Sequence, residues 1–248
     1  MGIRLITRGD DSGSCETANL AIRDAFEKGI LRNTSLIVPA PALDHAVAIL
    51  RDLKGLCVGL HATVTAEWDS VRWGPVLPPD QVPSLVDANG HFFKNGRLLH
   101  ENNPSNDEIL AELKAQLDRA RARGFRIDYM DEHMSFSWFP GLRERLDAFV
   151  QSEGLIWGAH EYDRLPGENN PAQTPVENMV RRLEAAPPGT YLIVGHPGYN
   201  RPDMRRLGHA GAGNVALDRD WQRRMFMDPE VLECCERCGI EPVRFTDL

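Results

Sequence analysis

Short apolar runs alternate with amphipathic stretches along the whole chain. The apolar runs predict about seven strands, namely IRLITR, TSLIVP, LCVGLH, RIDYMDEH, LIWG, TYLIVGH and EPVRF. Between them, apolar residues recur at helical spacing, as in ETANLAIRDAFEKG and SNDEILAELKAQLDRARARG. The second of these predicted helices has a cap at Ser105 or Asn106 and a stop at Gly124.

Repeated alternation of strand and helix is typical of a parallel sheet with helices outside it. The chain has 248 residues, a length that suits one large α/β barrel. We therefore expect a single domain over residues 1–248 with a modified TIM-like (β/α) barrel. An open doubly wound sheet is the second choice.

Three stretches interrupt the alternation, at residues 66–104, 159–173 and 197–214. The first is rich in Pro, Gly and Asn and contains two Trp and two Phe. Long loops in a compact domain are usually functional or disordered. Because of its aromatic residues, we interpret residues 66–104 as an ordered lid insertion. His160 and His209 lie in the other two stretches and could border a site.

Charge and cysteine content exclude several classes of protein. The formal net charge is -8, which disfavours a nucleic-acid partner. No long uncharged run suggests a membrane span, and no signal peptide is evident, so a cytoplasmic protein is expected. Five cysteines then indicate reduced thiols. Cys235 and Cys238 form a Cys-x-x-Cys pair, but a structural zinc needs four ligands, so half-buried helix cysteines are the preferred interpretation.

Polar residues stand at the ends of four predicted strands. Asp10 and Asp11 end the first, His61 the third, Asp131–His133 the fourth and His196 the sixth. In a parallel barrel the carboxyl ends of the strands share one face, which carries the active site. These residues are therefore expected to converge although they are far apart in sequence.

Two histidines and one carboxylate with open positions suit a divalent metal ion. Such an ion would also offset the repulsion between Asp10 and Asp11. The other carboxylate could then act as a base and another histidine as an acid, as metal-assisted hydrolysis requires. Taken singly, each residue has a plainer interpretation: the Asp pair could cap a helix, His61 could be a core histidine, and His196 could shape a turn.

Several segments together carry a resemblance to a known family. They are GDDSG at 9–13, TSLIVPAPALDHAV at 34–47, VGLHATVT at 58–65, VLPPDQVPSLVDANGHFF at 76–93, DYMDEHMSFSWFPGL at 128–142 and VGHPGYN at 194–200. In these segments the chain resembles the YdjC-like carbohydrate deacetylases, also called the ChbG/HpnK family. The resemblance runs nearly the whole length.

This resemblance implies a TIM-like barrel, one bound divalent metal ion (Mg or Zn) and hydrolysis of an N-acetyl group from an amino sugar or acetylated oligosaccharide. Carried over by position, it implies that Asp11, His61 and His133 are the metal ligands. Asp10 resembles the general base and His196 the general acid. The implied partner is a small-molecule carbohydrate, and the family suggests a homodimer.

The chain departs from the family pattern at a few positions. Ser135 and Ser137 stand where the family carries histidines, and Arg8 and Ser12 flank the Asp pair. We expect the substrate to contact four residues, Arg8, Glu132, Ser135 and Tyr199, although Arg8 could equally form a structural salt bridge. Two rival functions stay open: another metal-dependent barrel enzyme, such as an isomerase or phosphoesterase, and a sugar-binding relative without catalysis.

Overall fold

The computed structural model describes residues 2–158 and 162–248, and within these ranges the chain forms seven strands. All of their pairings are parallel, in the order β5-β4-β3-β2-β1-β6, with β7 beside β1. The strands are β1 Ile3–Ser12, β2 Asn33–Leu36, β3 Cys57–Ala62, β4 Tyr129–Glu132, β5 Ile156–Trp157, β6 Gly189–Gly195 and β7 Ile240–Val243.

Eight α-helices connect the strands of the described ranges and pack against the sheet through one large apolar core. They are α1 Glu16–Lys28, α2 Leu43–Leu50, α3 Gly96–Glu101, α4 Asn106–Ala122, α5 Leu142–Ser152, α6 Pro175–Ala185, α7 Val215–Met227 and α8 Pro229–Cys238. None of these helices is long and apolar enough to cross a bilayer.

Strand β1 lies at the centre of the sheet. One of its edges pairs with β6 from Ile3 to Gly9. Its other edge pairs with β7 from Ile3 to Ile6, and then with β2 from Arg8 onward. The last strand of the chain therefore lies beside the first half of β1, and β2 lies beside the second half.

The sheet curls strongly. The Arg8 Nη1 on β1 donates to the carbonyl oxygen of Gly158, which follows the edge strand β5, over 2.7 Å. Farther along the chain, Arg164 forms an isolated parallel β-bridge with Leu192 of β6, the strand at the other edge of the sheet. The chain after β5 thus runs beside β6, and the predicted α/β, TIM-like architecture with about seven parallel strands is confirmed.

A second apolar cluster fills the inside of the curled sheet. Its members are Ile6, Cys57, Tyr129, Leu192, Val243 and Phe245. The rings of Tyr129 and Phe245 lie 4.5 Å apart. Gly59 allows this packing, because a Cβ atom at that position would lie 2.3 Å from the Tyr129 ring. The cluster is the floor of the barrel, below the polar residues described next.

Residues 66–104 are ordered and packed onto the barrel. Buried side chains anchor this segment, namely Trp68, Trp73, Val82, Leu85, Phe92 and Leu99. The buried Glu112 carboxylate of α4 accepts hydrogen bonds from the peptide N–H groups of Val76 and Leu77, at 2.8 and 3.0 Å. The insertion is therefore ordered, and its movement as a lid stays a prediction.

The Cys-x-x-Cys pair lies on α8, where Cys235 is buried and Cys238 is exposed. All five cysteines carry free thiols, and all five fall within the described ranges. Burial raises the pKa of the Cys235 thiol to about 11, so that this thiol stays protonated at neutral pH. The helical position of the pair and the burial of Cys235 agree with the interpretation as buried or half-buried helix cysteines, whereas the exposure of Cys238 does not.

Candidate active site and metal centre

Alternate residues of four strands face the barrel interior, as the period of two in a strand requires. Starting at the apolar floor of the barrel, three inward-facing residues follow one another along each of these strands, and each such set of three is called a stripe below. The stripes are Ile6, Arg8 and Asp10 on β1; Cys57, Gly59 and His61 on β3; Tyr129 and Asp131 on β4 with His133 just after it; and Leu192 and Val194 on β6 with His196 just after it. Every stripe ends in an ionisable residue, and the four ends form the upper layer of the barrel.

Asp11 joins this layer through an irregularity in β1. The register between β1 and β2 shifts between Gly9 and Ser12, which marks a β-bulge. Asp11 has a φ of 66°, in the left-handed region. Side chains of successive residues in a regular strand face opposite sides, but the bulge brings Asp11 to the same side as Asp10. A non-glycine residue in this conformation costs about 1–3 kcal/mol, a strain that is common at functional sites.

Three buried ligand atoms form a nearly equilateral triangle. The Asp11 Oδ1 lies 3.4 Å from His61 Nε2 and 3.5 Å from His133 Nδ1, and the two ring nitrogens are 3.3 Å apart. Ligand atoms about 2.1 Å from a tetrahedral zinc ion lie about 3.4 Å from one another. Asp11 Oδ1 also lacks a hydrogen-bond donor among the described residues. The triangle therefore fits a divalent metal ion.

A carboxylate holds each imidazole on the nitrogen that faces away from Asp11. Asp131 Oδ1 lies 3.0 Å from His61 Nδ1, and Glu67 Oε2 lies 2.9 Å from His133 Nε2. Each carboxylate accepts the proton on its side of the ring, so that in the neutral form of each imidazole the opposite nitrogen presents a lone pair to the triangle. Metal-binding histidines typically have such partners.

The charges of the site shift its pKa values. Burial lowers the pKa of His133, but the charges of Glu67 and Asp11 outweigh burial and raise it to about 9. Burial also opposes the charged form of His61, yet Asp131 and other carboxylates raise its pKa well above the usual value. Burial tends to raise the pKa of Asp11, and the Arg219 guanidinium, 2.8 Å away, holds it well below its usual range.

Arg8 binds both remaining buried aspartates. Its Nε and Nη2 donate to Asp10 Oδ1 and Oδ2, over 2.7 and 2.9 Å. Its Nη1 lies 2.8 Å from Asp131 Oδ2. Ser35 supports Asp131 with a further hydrogen bond of 3.0 Å. Asp10 is thus held in one orientation at the edge of the triangle.

His196 approaches the site from the end of β6. Its Nδ1 lies 3.2 Å from Gln222 Oε1, which also accepts the peptide N–H of His196 over 2.6 Å. The Gln222 amide nitrogen donates to Asp218, so its oxygen is the atom that faces His196. An acceptor at Nδ1 favours the proton on that nitrogen. His196 is close enough for its charge to lower the pKa of Asp11.

A family model described as "YdjC-like protein" matches residues 4–237. The chain belongs to this YdjC-like family. The YdjC-like protein is similar to a carbohydrate deacetylase of Thermoanaerobacter pseudethanolicus, with 25% identity over 252 residues and 92% of each chain. It is 30% identical to carbohydrate deacetylase 1 of Listeria innocua over 135 residues, which are 54% of this chain and 52% of that one.

The fold of the YdjC-like protein also matches a solved structure. A cellobiose-phosphate cleavage protein of Enterococcus faecalis V583 superimposes with a TM-score of 0.84. The match covers 100% of this chain and 99% of the other, with 21% sequence identity. At this identity the likeness shows the fold alone.

The other residues expected to contact substrate lie in different settings. Glu132, on the opposite face of β4 from Asp131, accepts the peptide N–H groups of Phe136 and Ser137 over 2.8 and 2.6 Å, and so shapes the following turn. Ser135 is exposed in that turn, with a φ of 43°. Tyr199 Oη donates to Asp24 of α1. Substrate contacts by these residues stay a prediction, and Arg8 lies within the site.

Several residues of the site were not assigned from the sequence. Asp131 lies two residues before His133, and the period of two could have placed both on one face. Glu67 lies in the insertion and Arg219 on α7, where no local pattern marks them. Of the two loop histidines, His209 stacks on Trp68, with the ring centroids 5.9 Å apart. His160 lies outside the described residues.

Proposed function

We propose that this YdjC-like protein is a metal-dependent deacetylase that hydrolyses the N-acetyl group of an amino sugar or acetylated oligosaccharide. The observation that supports this proposal most directly is the triangle of Asp11, His61 and His133, in which a carboxylate orients each imidazole. Relatives named carbohydrate deacetylase support the choice of substrate.

The ligand set favours zinc over magnesium, because imidazole nitrogens suit zinc and magnesium prefers oxygen ligands. A divalent ion bound by Asp11, His61 and His133 would polarise the acetamide carbonyl and lower the pKa of a water molecule. The remaining steps fall to side chains of the chain itself.

Asp10 is the proposed general base. Arg8 donates one hydrogen bond to each of its oxygens. A carboxylate has about four lone-pair positions, so each oxygen keeps one that can accept the proton of the attacking water. Because Arg8 fixes the orientation of Asp10, the base needs little reorganisation at the moment of reaction.

His196 is the proposed general acid. Gln222 holds its Nδ1, so Nε2 is the nitrogen that can deliver a proton to the sugar amine as the amide C–N bond breaks. The products are acetate and the free amine. Arg219 binds the second oxygen of Asp11 and thereby leaves Oδ1 directed at the triangle.

A cavity of about 430 Å³ shares Glu67 with the site and is the proposed place for the substrate. Glu67, which binds His133, is one of its walls. Lys94, Asn95 and His209 also line it and offer hydrogen bonds to hydroxyl groups. Its volume lies within the range of small-molecule sites, and most of its lining residues are polar, which suits a carbohydrate rich in hydroxyl groups.

Acetate release from N-acetylated amino sugars such as diacetylchitobiose tests the proposal in the presence of zinc. We expect His61→Ala to lose both metal and turnover, because it removes one corner of the triangle. Asp10→Asn should keep the metal and lose turnover about 10²–10⁴-fold, as expected for a missing general base. The exposed Asp80→Asn is the matched control and should behave as wild type.

Retained turnover in Asp10→Asn would remove Asp10 as the base. A wild-type protein that binds zinc but releases no acetate from any acetylated sugar would contradict the deacetylase proposal. In that case, an isomerase or phosphoesterase assay and a sugar-binding assay would separate the two rivals.

A further inference from the structure

Two possible cation sites overlap in the barrel. The first is the triangle of Asp11, His61 and His133, and the second consists of Asp10, His61 and Asp131. In each set, one ligand atom per residue lies within 4.8 Å of the others, and all members are buried. His61 belongs to both, with Nε2 toward Asp11 and Nδ1 toward Asp131. By donor type alone, both sets could hold a divalent ion.

The second set already contains a positive group. The Arg8 guanidinium binds both oxygens of Asp10 and one oxygen of Asp131 with bonds of 2.7 to 2.9 Å. Its side chain is only 5% exposed. An arginine remains charged at every pH at which proteins are stable. Arg8 is therefore a permanent cation between these carboxylates.

Two buried carboxylates need a compensating charge, since an unpaired buried ion is very unfavourable. We infer that the guanidinium of Arg8 takes the place of a second metal ion and excludes one from the set Asp10, His61 and Asp131. Arg8 lies two residues from Asp10 on the same strand, so this cation cannot dissociate. Asp10 is thereby paired with Arg8 and kept from coordinating a metal ion.

The role of Asp10 in turnover rests on the proposed function. The number of bound ions, in contrast, can be measured whether or not the protein is a deacetylase. Zinc bound per chain is measured by calorimetry and by elemental analysis after desalting. Arg8→Gln keeps hydrogen-bonding capacity but removes the charge. We expect it to bind one more zinc per chain than wild type, whereas Arg8→Lys, which keeps a cation, should bind the wild-type number.

Arg126 provides the matched control. It also pairs with an aspartate two residues later, Asp128, over 2.7 Å from its Nε. This pair differs in that Arg126 is 86% exposed. Arg126→Gln should therefore bind the same number of ions as wild type. The double variant Arg8→Gln/Asp10→Asn, which lacks a ligand of the second set but keeps the triangle, should lose the extra ion.

An unchanged number of zinc ions in folded Arg8→Gln would overturn the inference. If that variant fails to fold, wild type in excess zinc decides the question: an ion between Asp10 and Asp131 in a crystal structure overturns the inference, and its exclusion supports it. Failure of the deacetylase proposal would instead be seen as absent acetate release. The two results are independent, because the ion count compares variant with wild type and needs no substrate.

Discussion

At the scale of single residues, the two imidazoles depend on the carboxylates behind them. Glu67 is the partner of His133, and Asp131 is the partner of His61. A neutral amide in place of Glu67 could still hydrogen-bond the ring, but it would not increase the basicity of the ligand nitrogen. Partners of this kind typically change metal affinity 10- to 100-fold.

Glu67→Gln should therefore weaken zinc binding by about 10- to 100-fold, with little change in the fold. Competition with a chromogenic chelator measures the affinity, and circular dichroism checks the fold. Glu101→Gln, on an exposed position of α3, is the control and should bind zinc as wild type does. Unchanged affinity in Glu67→Gln would contradict a role for Glu67 in orienting His133.

Metal affinity should also depend on pH. In the metal-free protein the pKa of His133 is raised to about 9, and that of His61 lies well above its usual value. A ligand imidazole must be neutral, so binding at neutral pH displaces a proton from each ring. Affinity should rise with pH, roughly a hundredfold per unit if both protons leave, and level off above the pKa values.

Calorimetric titration with zinc in buffers of different ionisation enthalpy counts the released protons. Two protons per ion near neutral pH is the expected result, with fewer as the pH passes about 9. An affinity that does not change with pH would mean that both imidazoles are already neutral in the metal-free protein.

At the scale of elements, the end of β1 is shaped by a bulge followed by a tight turn. Gly13 has a φ of 94°, and a Cβ atom there would lie 2.5 Å from the carbonyl oxygen of Ile37. The Gly13 peptide N–H donates to Asn19 Oδ1 of α1 over 2.7 Å. These contacts hold the chain just after Asp11, so the direction of that carboxylate depends on a close approach that glycine permits.

Gly13→Ala should lower the free energy of unfolding by about 3 kcal/mol or more, the sum of backbone strain and a steric clash. Gly154→Ala is a suitable comparison, since Gly154 has a φ of 68° but no neighbour within 4 Å of the added Cβ. That change should cost about 1–2 kcal/mol. Urea unfolding measures both values; equal losses would show that the contact with Ile37 relaxes easily.

The elements themselves could be predicted well from the sequence, and the site less completely. Periodicity gave the parallel strands, and their polar ends placed Asp10, His61 and His133 on one face. The bulge at Asp11 could not be predicted, because its left-handed φ depends on contacts with β2 and the following turn. The roles of Glu67 and Arg219 depend on how the insertion and α7 pack, which no local pattern encodes.

At the scale of the whole molecule, Asn33 joins the two ends of the chain. It is fully buried at the start of β2. Its amide nitrogen donates to the carbonyl oxygens of Thr7 and Val243, at 3.0 Å each. Its amide oxygen accepts the peptide N–H of Phe245 over 2.9 Å. One side chain thus links β1 to β7 and fixes the aromatic floor below the site.

Asn33→Ala would remove all three hydrogen bonds. The Thr7 carbonyl oxygen would keep the peptide N–H of Arg32 over 3.4 Å, whereas the groups of Val243 and Phe245 would lose this partner. We expect a loss of about 2 kcal/mol or more of unfolding free energy, since each unsatisfied group costs about 1–3 kcal/mol. The exposed Asn102, which bonds to the carbonyl oxygen of Ser84, provides a control substitution with a small effect. A loss below about 1 kcal/mol in Asn33→Ala would indicate that water replaces the amide.

The buried cluster around His61 also has a simple charge balance. Four carboxylates (Asp10, Asp11, Glu67 and Asp131) face two guanidinium groups (Arg8 and Arg219). Two protonated imidazoles bring the metal-free cluster to neutrality, and one divalent ion with neutral imidazoles does the same. On this balance, the barrel would act as an ion exchanger: binding of one divalent cation would release two protons and leave the buried charge unchanged.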